Sequence, residues 1–262
     1  MPQDIVVTKK QRVLWIELNR PEARNAIRIP TTTNDLWDAL NDAVADSEVR
    51  AIILTGRGPA FCAGGDVKEM AKALTAEQPD PTWAREIVQT FHRTVDRLYE
   101  IEKPTIAAVN GPAVGAGCNI ALACDLRIAS DQAKFTWAFV HRGLSSDAGS
   151  TFLLSRLVGP AKAFELLALG DPVSADEALR LGIVDQVVPH DQLVSAAESR
   201  AARFAAGPPK AIGMIKRGIR NAMHSTFRDA LELEADLQAI SLLGPEHREG
   251  VMSYLEKRHP KF

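Results

Sequence analysis

The chain has 262 residues, of which 46% are hydrophobic and 24% charged, and this composition suits a globular protein with a sizeable core. Its 31 Lys and Arg residues nearly balance its 33 Asp and Glu residues, and the formal net charge of −2 argues against a nucleic-acid-binding surface. We also expect no membrane span and no signal peptide, because no apolar run approaches the roughly 20 residues that a membrane-spanning helix needs.

The first half of the chain alternates between short apolar runs and longer runs with helical spacing. The short runs predict strands over residues 13–18, 51–55, 105–109 and 126–129. The longer runs predict helices over residues 33–46, 83–101 and 115–123. A polar stretch with two prolines, residues 74–81, predicts a loop. This alternation of strands and helices favours an α/β fold.

The second half is predicted to be mainly helical, over residues 148–157, 161–169, 174–181, 191–205, 209–222 and 227–242. Pro208 and Pro209 interrupt the helices, because consecutive prolines favour extended chain. We therefore predict a core of residues 1–206 that carries the active site and a helical region of residues 207–262. The last predicted helix has a broad apolar face, which we expect to cover the core or a second subunit.

Two glycine-rich runs follow predicted strands, at residues 61–66 (Phe-Cys-Ala-Gly-Gly-Asp) and 110–118 (Asn-Gly-Pro-Ala-Val-Gly-Ala-Gly-Cys). Glycine lets the backbone approach a ligand closely and leaves its N–H groups accessible. Two N–H donors aimed at one oxygen form an oxyanion hole, and a helix that begins in the second run adds the positive end of its dipole. The runs predict a site that stabilises negative charge on a carbonyl oxygen.

With these runs the chain resembles the enoyl-CoA hydratase/isomerase (crotonase) superfamily, nearly from end to end. Further matching segments are residues 20–26, 66–70, 103–109, 123–129, 157–160, 178–184 and 249–258. The resemblance implies a spiral of ββα units with a C-terminal helical trimerisation region, and trimers that pair into hexamers in many members. It also implies an acyl-CoA thioester substrate, so that coenzyme A is part of the substrate and no prosthetic group is expected.

The same resemblance assigns residues to the site. Gly65 and Ala116 correspond to the two oxyanion donors; Ala116 replaces a glycine of the family, which leaves the backbone N–H in place. The residues expected to contact coenzyme A are Arg24, Ala26, Ala63, Gly64, Asp66 and Lys68. The alternative for Arg24 is that it is only a charged surface residue. The alternative for Asp66 and Lys68 is that they lie at a solvent-exposed start of a helix.

The residues for proton transfer differ from those of family hydratases, which use two glutamates. The corresponding positions are Asn119 and Phe139, and neither can act as a carboxylate does, which argues against standard hydration. Asp147 corresponds to the working aspartate of certain isomerases of the family, including the ring-1,2-epoxyphenylacetyl-CoA isomerase. One carboxylate suffices to move a proton between two carbons. A nearby apolar pocket with Trp137 and Phe139 is expected to raise the pKa of Asp147.

Several alternatives stay open. Asp147 also suits the N-cap of the predicted helix 148–157. His92 and Asp147 correspond to the histidine and nucleophilic aspartate of an aryl-CoA dehalogenase of the family, although His92 also suits a satisfied histidine of an amphipathic helix. A hydratase with other acid/base residues and a catalytically silent acyl-CoA binder are further alternatives. An RNA-binding branch carries a lysine-rich helix, whereas residues 33–48 here hold five acidic residues and no lysine.

The three cysteines, Cys62, Cys118 and Cys124, lack the spacing of a metal site. Two of them flank the glycine-rich runs, where we expect them to serve as small packing residues. An odd number of cysteines without a disulfide pattern is typical of a reducing compartment, so we expect the protein to lie in the cytoplasm. Because the spacing of a metal site is missing, we expect no metal.

Overall fold

A computed structural model of the chain describes residues 3–74 and 81–262. The strands are β1 (Ile5–Lys10), β2 (Val13–Leu18), β3 (Ala51–Gly56), β4 (Thr105–Val109), β5 (Ala113–Val114), β6 (Leu126–Ser130), β7 (Lys134–Thr136), β8 (Val173–Ser174) and β9 (Gln186–Val188). The helices are α1 (Thr31–Ala45), α2 (Val67–Leu74), α3 (Pro81–Glu100), α4 (Ala116–Ala123), α5 (Ser150–Val158), α6 (Pro160–Leu169), α7 (Ala175–Arg180), α8 (Leu193–Ala205), α9 (Pro209–Ala222), α10 (Phe227–Leu242) and α11 (Pro245–Leu255).

Six strands form one sheet in the order β1-β2-β3-β4-β6-β9. β1 pairs with β2 in the antiparallel sense, and the other neighbours in this sheet are parallel. β5, β7 and β8 form a small second sheet. Parallel strands need crossover connections, and these supply the helices that pack against the large sheet.

Both faces of the inner strands β2, β3 and β4 are buried, which explains why these strands are mostly apolar, whereas the edge strand β1 is largely exposed. In β3, Ile52 and Leu54 join the larger core with α1, α3 and α4, whereas Ile53 points to the opposite face. α8 covers that opposite face through residues spaced four apart, Leu193, Ala197, Ala201 and Ala205. The candidate site lies on the side of the larger core.

The predicted elements are present, and their ends differ from the prediction by no more than two residues. Leu74 ends α2 and Pro81 begins α3, and the rest of the predicted loop, residues 75–80, lies outside the described residues. The prediction missed β1, α2, α11 and the short strands β5 and β7–β9, several of which span only two or three residues and show no periodicity. None of the helices that the structure describes is long and apolar enough to cross a bilayer.

A buried ion cluster fastens the C-terminal helices to the sheet. Asp125, between α4 and β6, accepts hydrogen bonds from Lys216 Nζ and from Arg220 on α9, each at 2.7 Å. It also accepts from the backbone N–H and the hydroxyl of Thr105 at 2.8 and 2.9 Å. Burial lowers the pKa of Lys216 to about 8, against the opposing effect of Asp125. The boundary at residues 206 and 207 falls between α8 and α9 and stays a prediction.

Replacement of Asp125 by alanine is expected to lower the free energy of unfolding by about 3–5 kcal/mol, because it leaves two buried cations without their anion. Urea unfolding at one fixed protein concentration measures this change. Asp131→Ala, which removes an exposed carboxylate after β6, is the control and should change stability by no more than about 0.5 kcal/mol. A loss below about 1 kcal/mol for Asp125→Ala would mean that the cluster behaves as an ordinary surface ion pair.

Candidate active site

The two glycine-rich runs lie side by side, joined by backbone hydrogen bonds. The N–H of Val114 donates to the carbonyl of Cys62 at 2.8 Å, and the N–H of Cys62 donates to the carbonyl of Pro112 at 3.2 Å. A Cβ atom on Gly64 would lie 2.7 Å from the carbonyl oxygen of Val114, and one on Gly117 would overlap the carbonyl oxygen of Cys62. Glycine is therefore needed at both positions for the runs to come this close.

The two expected oxyanion donors, Gly65 and Ala116, belong to neighbouring segments of this contact. The carbonyl of Gly64 accepts a hydrogen bond from the N–H of Ile27 at 2.7 Å. Since the N–H and C=O of a trans peptide point in opposite directions, the N–H of Gly65 points away from Ile27. A Cβ atom on Gly64 would lie 3.7 Å from the amide nitrogen of Ala116, so the two segments are in contact.

Ala116 is the first residue of α4, and Gly115 is its N-cap. The N–H groups of the first helical turn have no partner inside the helix, and the helix dipole is positive there. Gly115 has φ +51°, a conformation that favours glycine. The ring of Phe139 lies 3.5 Å from the position of a Cβ on Gly115, so an apolar side chain borders the start of the helix. This site can hold a carbonyl oxygen beside an apolar group.

Asn119 connects α4 to the segment that carries Asp147. It is fully buried, and its Nδ2 donates to the carbonyl of Asp147 at 2.9 Å. Its Oδ1 accepts from the indole N–H of Trp137 at 3.0 Å. From the sequence, Asn119 was identified only as the replacement of a hydratase glutamate, and this connection was not predicted. The available signal was an amide in the otherwise apolar helix α4, because buried polar groups need hydrogen-bond partners.

Asp147 lies in the segment before α5, and its side chain does not cap that helix. The N-cap of α5 is Gly149 and has no side-chain hydrogen bond, so the N-cap alternative is wrong. Within the described part of the chain, the buried Oδ1 of Asp147 has no hydrogen-bond partner. Burial raises the pKa of Asp147, and the nearby His92 opposes this rise. A carboxylate in this environment is a stronger base than an exposed one.

His92, on α3, contacts the residue after Asp147. Its Nε2 accepts a hydrogen bond from the N–H of Ala148 at 3.1 Å. Ala148 has φ +46°, which alanine rarely adopts. A cavity of about 280 Å³ opens beside this contact, and His92, Tyr99, Ala148 and Phe152 are among the residues that line it.

The segment of residues 20–26 is hydrogen-bonded to the chain that leads into the first glycine-rich run. The buried side-chain amide of Asn25 donates to the carbonyls of Arg57 and Ala60 at 2.9 and 2.8 Å. Ala26, also buried, accepts a hydrogen bond from the guanidinium of Arg20 at its carbonyl, at 2.7 Å. This segment therefore sets the path of the chain at the edge of the site.

The charged residues expected at coenzyme A fall into two groups. Asp66 pairs with Arg20 at 3.0 Å, and its carboxylate accepts a hydrogen bond from the N–H of Lys68 at 3.0 Å, at the start of α2; its expected contact with coenzyme A stays a prediction. Arg24 and Lys68 are exposed cations on either side of the first glycine-rich run. The N–H of Ala63 donates to the carbonyl of Arg24 at 2.9 Å, which places Arg24 beside that run.

The cysteines near the site are buried and free. Burial raises the pKa of the Cys62 thiol to about 12, and the thiol of Cys118 donates to the carbonyl of Ala113 at 3.0 Å. These contacts suit packing residues rather than nucleophiles. Across the described ranges, no group of three or more His, Cys, Asp or Glu side chains is placed to hold a metal ion.

Comparison with known proteins shows the family of this chain. A family model described as enoyl-CoA hydratase/isomerase matches residues 8–262. The chain is 36% identical over 262 residues to a 1,2-epoxyphenylacetyl-CoA isomerase of Escherichia coli (strain K12), covering 100% of this chain and 99% of that protein. It is 35% identical over 256 residues to a short-chain-enoyl-CoA hydratase of Clostridium acetobutylicum, covering 97% and 95%.

A solved structure gives the same result for the fold. The enoyl-CoA hydratase from Bacillus anthracis superimposes with a TM-score of 0.93 at 32% identity and covers 99% of both chains. This similarity confirms the predicted α/β fold of the crotonase type with C-terminal helices; the division of the strands into two sheets was not predicted. Isomerases and hydratases are about equally similar in sequence to this chain, so the choice between the two activities depends on the site.

Proposed function

Because the chain belongs to the enoyl-CoA hydratase/isomerase family, which acts on coenzyme A thioesters without a prosthetic group, we propose that it isomerises an enoyl-CoA. The reaction moves a double bond or rearranges a ring of the acyl group, and Asp147 is the acid and base. The observation that carries this proposal is the partly buried carboxyl group of Asp147, whose Oδ1 has no partner among the described residues. Asn119 holds its segment to the helix that begins at Ala116.

In the first step, the thioester oxygen of a 3-enoyl-CoA lies between the N–H groups of Gly65 and Ala116. Asp147 removes a proton from the α-carbon, and the electron pair of that C–H bond moves into the thioester to give a dienolate. The negative charge on oxygen is then stabilised by two fixed donors and by the N-terminus of α4. Such a donor is typically worth about 3 kcal/mol in the transition state.

In the second step, protonated Asp147 gives its proton to the γ-carbon. The double bond then lies between the α- and β-carbons, and the carboxylate is restored, so protons and electrons balance. The raised pKa of Asp147 helps both steps, because it makes the carboxylate a better base and keeps the acid protonated until transfer.

Hydration of an enoyl-CoA is the second candidate, favoured by the 35% identity to a hydratase. It needs one group to activate water and another to protonate carbon. Asn119 uses both ends of its amide for Trp137 and Asp147, and Phe139 has no proton to transfer. The dehalogenase-like alternative has less support, because Nε2 of His92 already accepts the N–H of Ala148.

We also propose that exposed cations bind the coenzyme A part of the substrate. The exposed cations Arg24 and Lys68 are suited to its phosphate groups, whereas Asp66 already forms an ion pair with Arg20.

Assembly as a homotrimer, or as a dimer of trimers, is supported by exposed apolar side chains on α10, α11 and the turn between them. Phe227, Leu243 and Tyr254 are 81%, 91% and 84% exposed. We place the protein in the cytoplasm.

Assay of the purified protein with a 3-enoyl-CoA and with crotonyl-CoA tests the proposal. We expect conversion of the 3-enoyl-CoA to its 2-enoyl isomer and at most trace hydration of crotonyl-CoA. Efficient hydration of crotonyl-CoA would contradict the isomerase assignment and point to a base outside the residues considered. Tight binding of both thioesters without turnover of either would instead identify a catalytically silent binder.

A further inference from the structure

A single peptide group, the one between Asp147 and Ala148, is held from both of its edges. Its carbonyl accepts a hydrogen bond from Nδ2 of Asn119 at 2.9 Å. Its N–H donates to Nε2 of His92 at 3.1 Å. The backbone N–H and hydroxyl of Ser150 also donate to the carbonyl, at 3.1 and 3.0 Å.

This arrangement fixes the plane of the peptide that follows the Asp147 side chain. Rotation of the plane changes ψ of Asp147 and φ of Ala148 together, and both contacts break when it turns. Ala148 has φ +46°, a conformation that an alanine rarely adopts without support from its surroundings. The two side chains supply that support, and with it a fixed direction for the Cα–Cβ bond of Asp147.

The contacts also join this peptide to the helix of the oxyanion donor. Asn119 lies three residues after Ala116 on α4, which is about one helical turn. The indole N–H of Trp137 binds Oδ1 of Asn119 at 3.0 Å, so the amide cannot flip and its Nδ2 must face Asp147. The other contact comes from α3, which lies against α1 and α4 in the larger core.

We propose that Asn119 and His92 are positioning residues that hold this peptide plane, so that the Asp147 carboxyl group faces the α-carbon of a thioester whose oxygen is bound at Ala116. In this role His92 is a hydrogen-bond acceptor and takes no proton from the substrate, and Asn119 is a donor and replaces no missing acid. The inference rests on the proposed function for its effect on turnover, but the held peptide plane itself can be tested without any substrate.

Two substitutions of His92 separate positioning from acid–base chemistry. His92→Gln places an amide oxygen near the position of Nε2 and can still accept the N–H of Ala148, whereas His92→Leu cannot. We expect kcat for His92→Gln to stay within about threefold of wild type, and kcat for His92→Leu to fall by about 10²-fold with KM nearly unchanged, since a displacement of about 1 Å has an effect of that size. Equal losses for the two variants would overturn the positioning role.

Asn119→Asp tests the other edge with a side chain of the same shape. Its carboxylate can still accept from Trp137 but repels the carbonyl of Asp147, so kcat should fall by about 10²-fold with KM nearly unchanged. Wild-type kcat in Asn119→Asp would contradict the inference. We do not expect Asn119→Asp to gain hydratase activity, because its carboxylate would accept the indole N–H of Trp137.

Hydrogen–deuterium exchange of the full chain supplies a readout that does not depend on activity. The peptide that contains Ala148 should exchange faster in His92→Leu and at the wild-type rate in His92→Gln. If wild type fails to isomerise any enoyl-CoA, the proposed function is wrong, and this exchange pattern still tests the held peptide. Unchanged exchange in His92→Leu would overturn the inference even if the isomerase activity is present.

Discussion

Asp147→Asn is expected to lower kcat for isomerisation of a 3-enoyl-CoA by about 10²–10⁴-fold, with KM within a few-fold of wild type. The amide has the shape of the carboxyl group but cannot take a proton from the α-carbon. We expect the thioester still to bind, because the proposed donors to its oxygen are the N–H groups of Gly65 and Ala116 and not the side chain at position 147. Steady-state assays on both proteins with the same substrate measure the change.

A matched control is Asp131→Asn, which removes an exposed carboxylate after β6 and should leave kcat and KM unchanged. Undiminished isomerisation by Asp147→Asn would remove Asp147 from the mechanism. An equal loss in both variants would show that the assay reports net charge or protein quality rather than a role of one carboxyl group.

The same substitution should stabilise the folded protein at neutral pH. Burial raises the pKa of Asp147 above its ordinary value of 3.8, so the folded state binds this proton more tightly than the unfolded chain does. Stability therefore falls as pH rises from the unfolded pKa through the folded one, and the ionised carboxylate destabilises the fold above both. Asp147→Asn removes that effect, so its Tm should exceed that of wild type at pH 7. This excess should shrink as pH falls through the folded pKa and be absent below about pH 4.

Ala116→Pro is expected to lower kcat/KM by at least 10²–10³-fold, because proline has no N–H to donate to the thioester oxygen. The substitution tests the donor with little change to the fold. Ala116 is the first residue of α4, where proline is well tolerated, and its N–H makes no bond inside the helix. Gly115, with φ +51° and ψ −113°, is a glycine in the mirror image of an extended conformation, which suits the residue before proline.

Ala116→Gly keeps the backbone N–H and is the matched control. Its kcat/KM should stay within a few-fold of wild type, and thermal unfolding should show that both variants fold. Wild-type activity in Ala116→Pro would place the thioester oxygen elsewhere. A loss of activity in Ala116→Gly as large as that in Ala116→Pro would mean that the methyl group of Ala116, and not its N–H, matters.

The fold could be predicted well from local patterns where its strands are buried on both faces. The runs Val13–Leu18 and Thr105–Val109 are apolar except for Glu17 and Thr105, and their bounds were predicted without error. β5 and β8 have two residues each, too few for any periodicity. In β5, Ala113 pairs with Cys62 on one side and with Phe135 of β7 on the other, and β8 pairs with β7. Their existence depends on tertiary contacts that a local pattern does not contain.

For the candidate site, the sequence predicted backbone N–H donors and one carboxylate, and their roles stay predictions. The glycine-rich runs indicated N–H donors because glycine is needed for their close contact. The connections around Asp147 could not be predicted, since they join residues that are 28 and 56 positions apart, Asn119 and His92 with the segment at 147–148. A side chain that is polar in an apolar helix indicates that a partner exists but not which residue it is.

A crystal structure of Asp147→Asn with a 3-enoyl-CoA bound tests the central claim most directly, because the substitution stops turnover and keeps the shape of the site. We expect a thioester oxygen about 2.7–3.1 Å from the nitrogens of both Gly65 and Ala116. We also expect the side chain at position 147 within about 3–3.5 Å of the α-carbon. A thioester oxygen bound away from either nitrogen, or a side chain at position 147 turned away from the α-carbon, would contradict this claim.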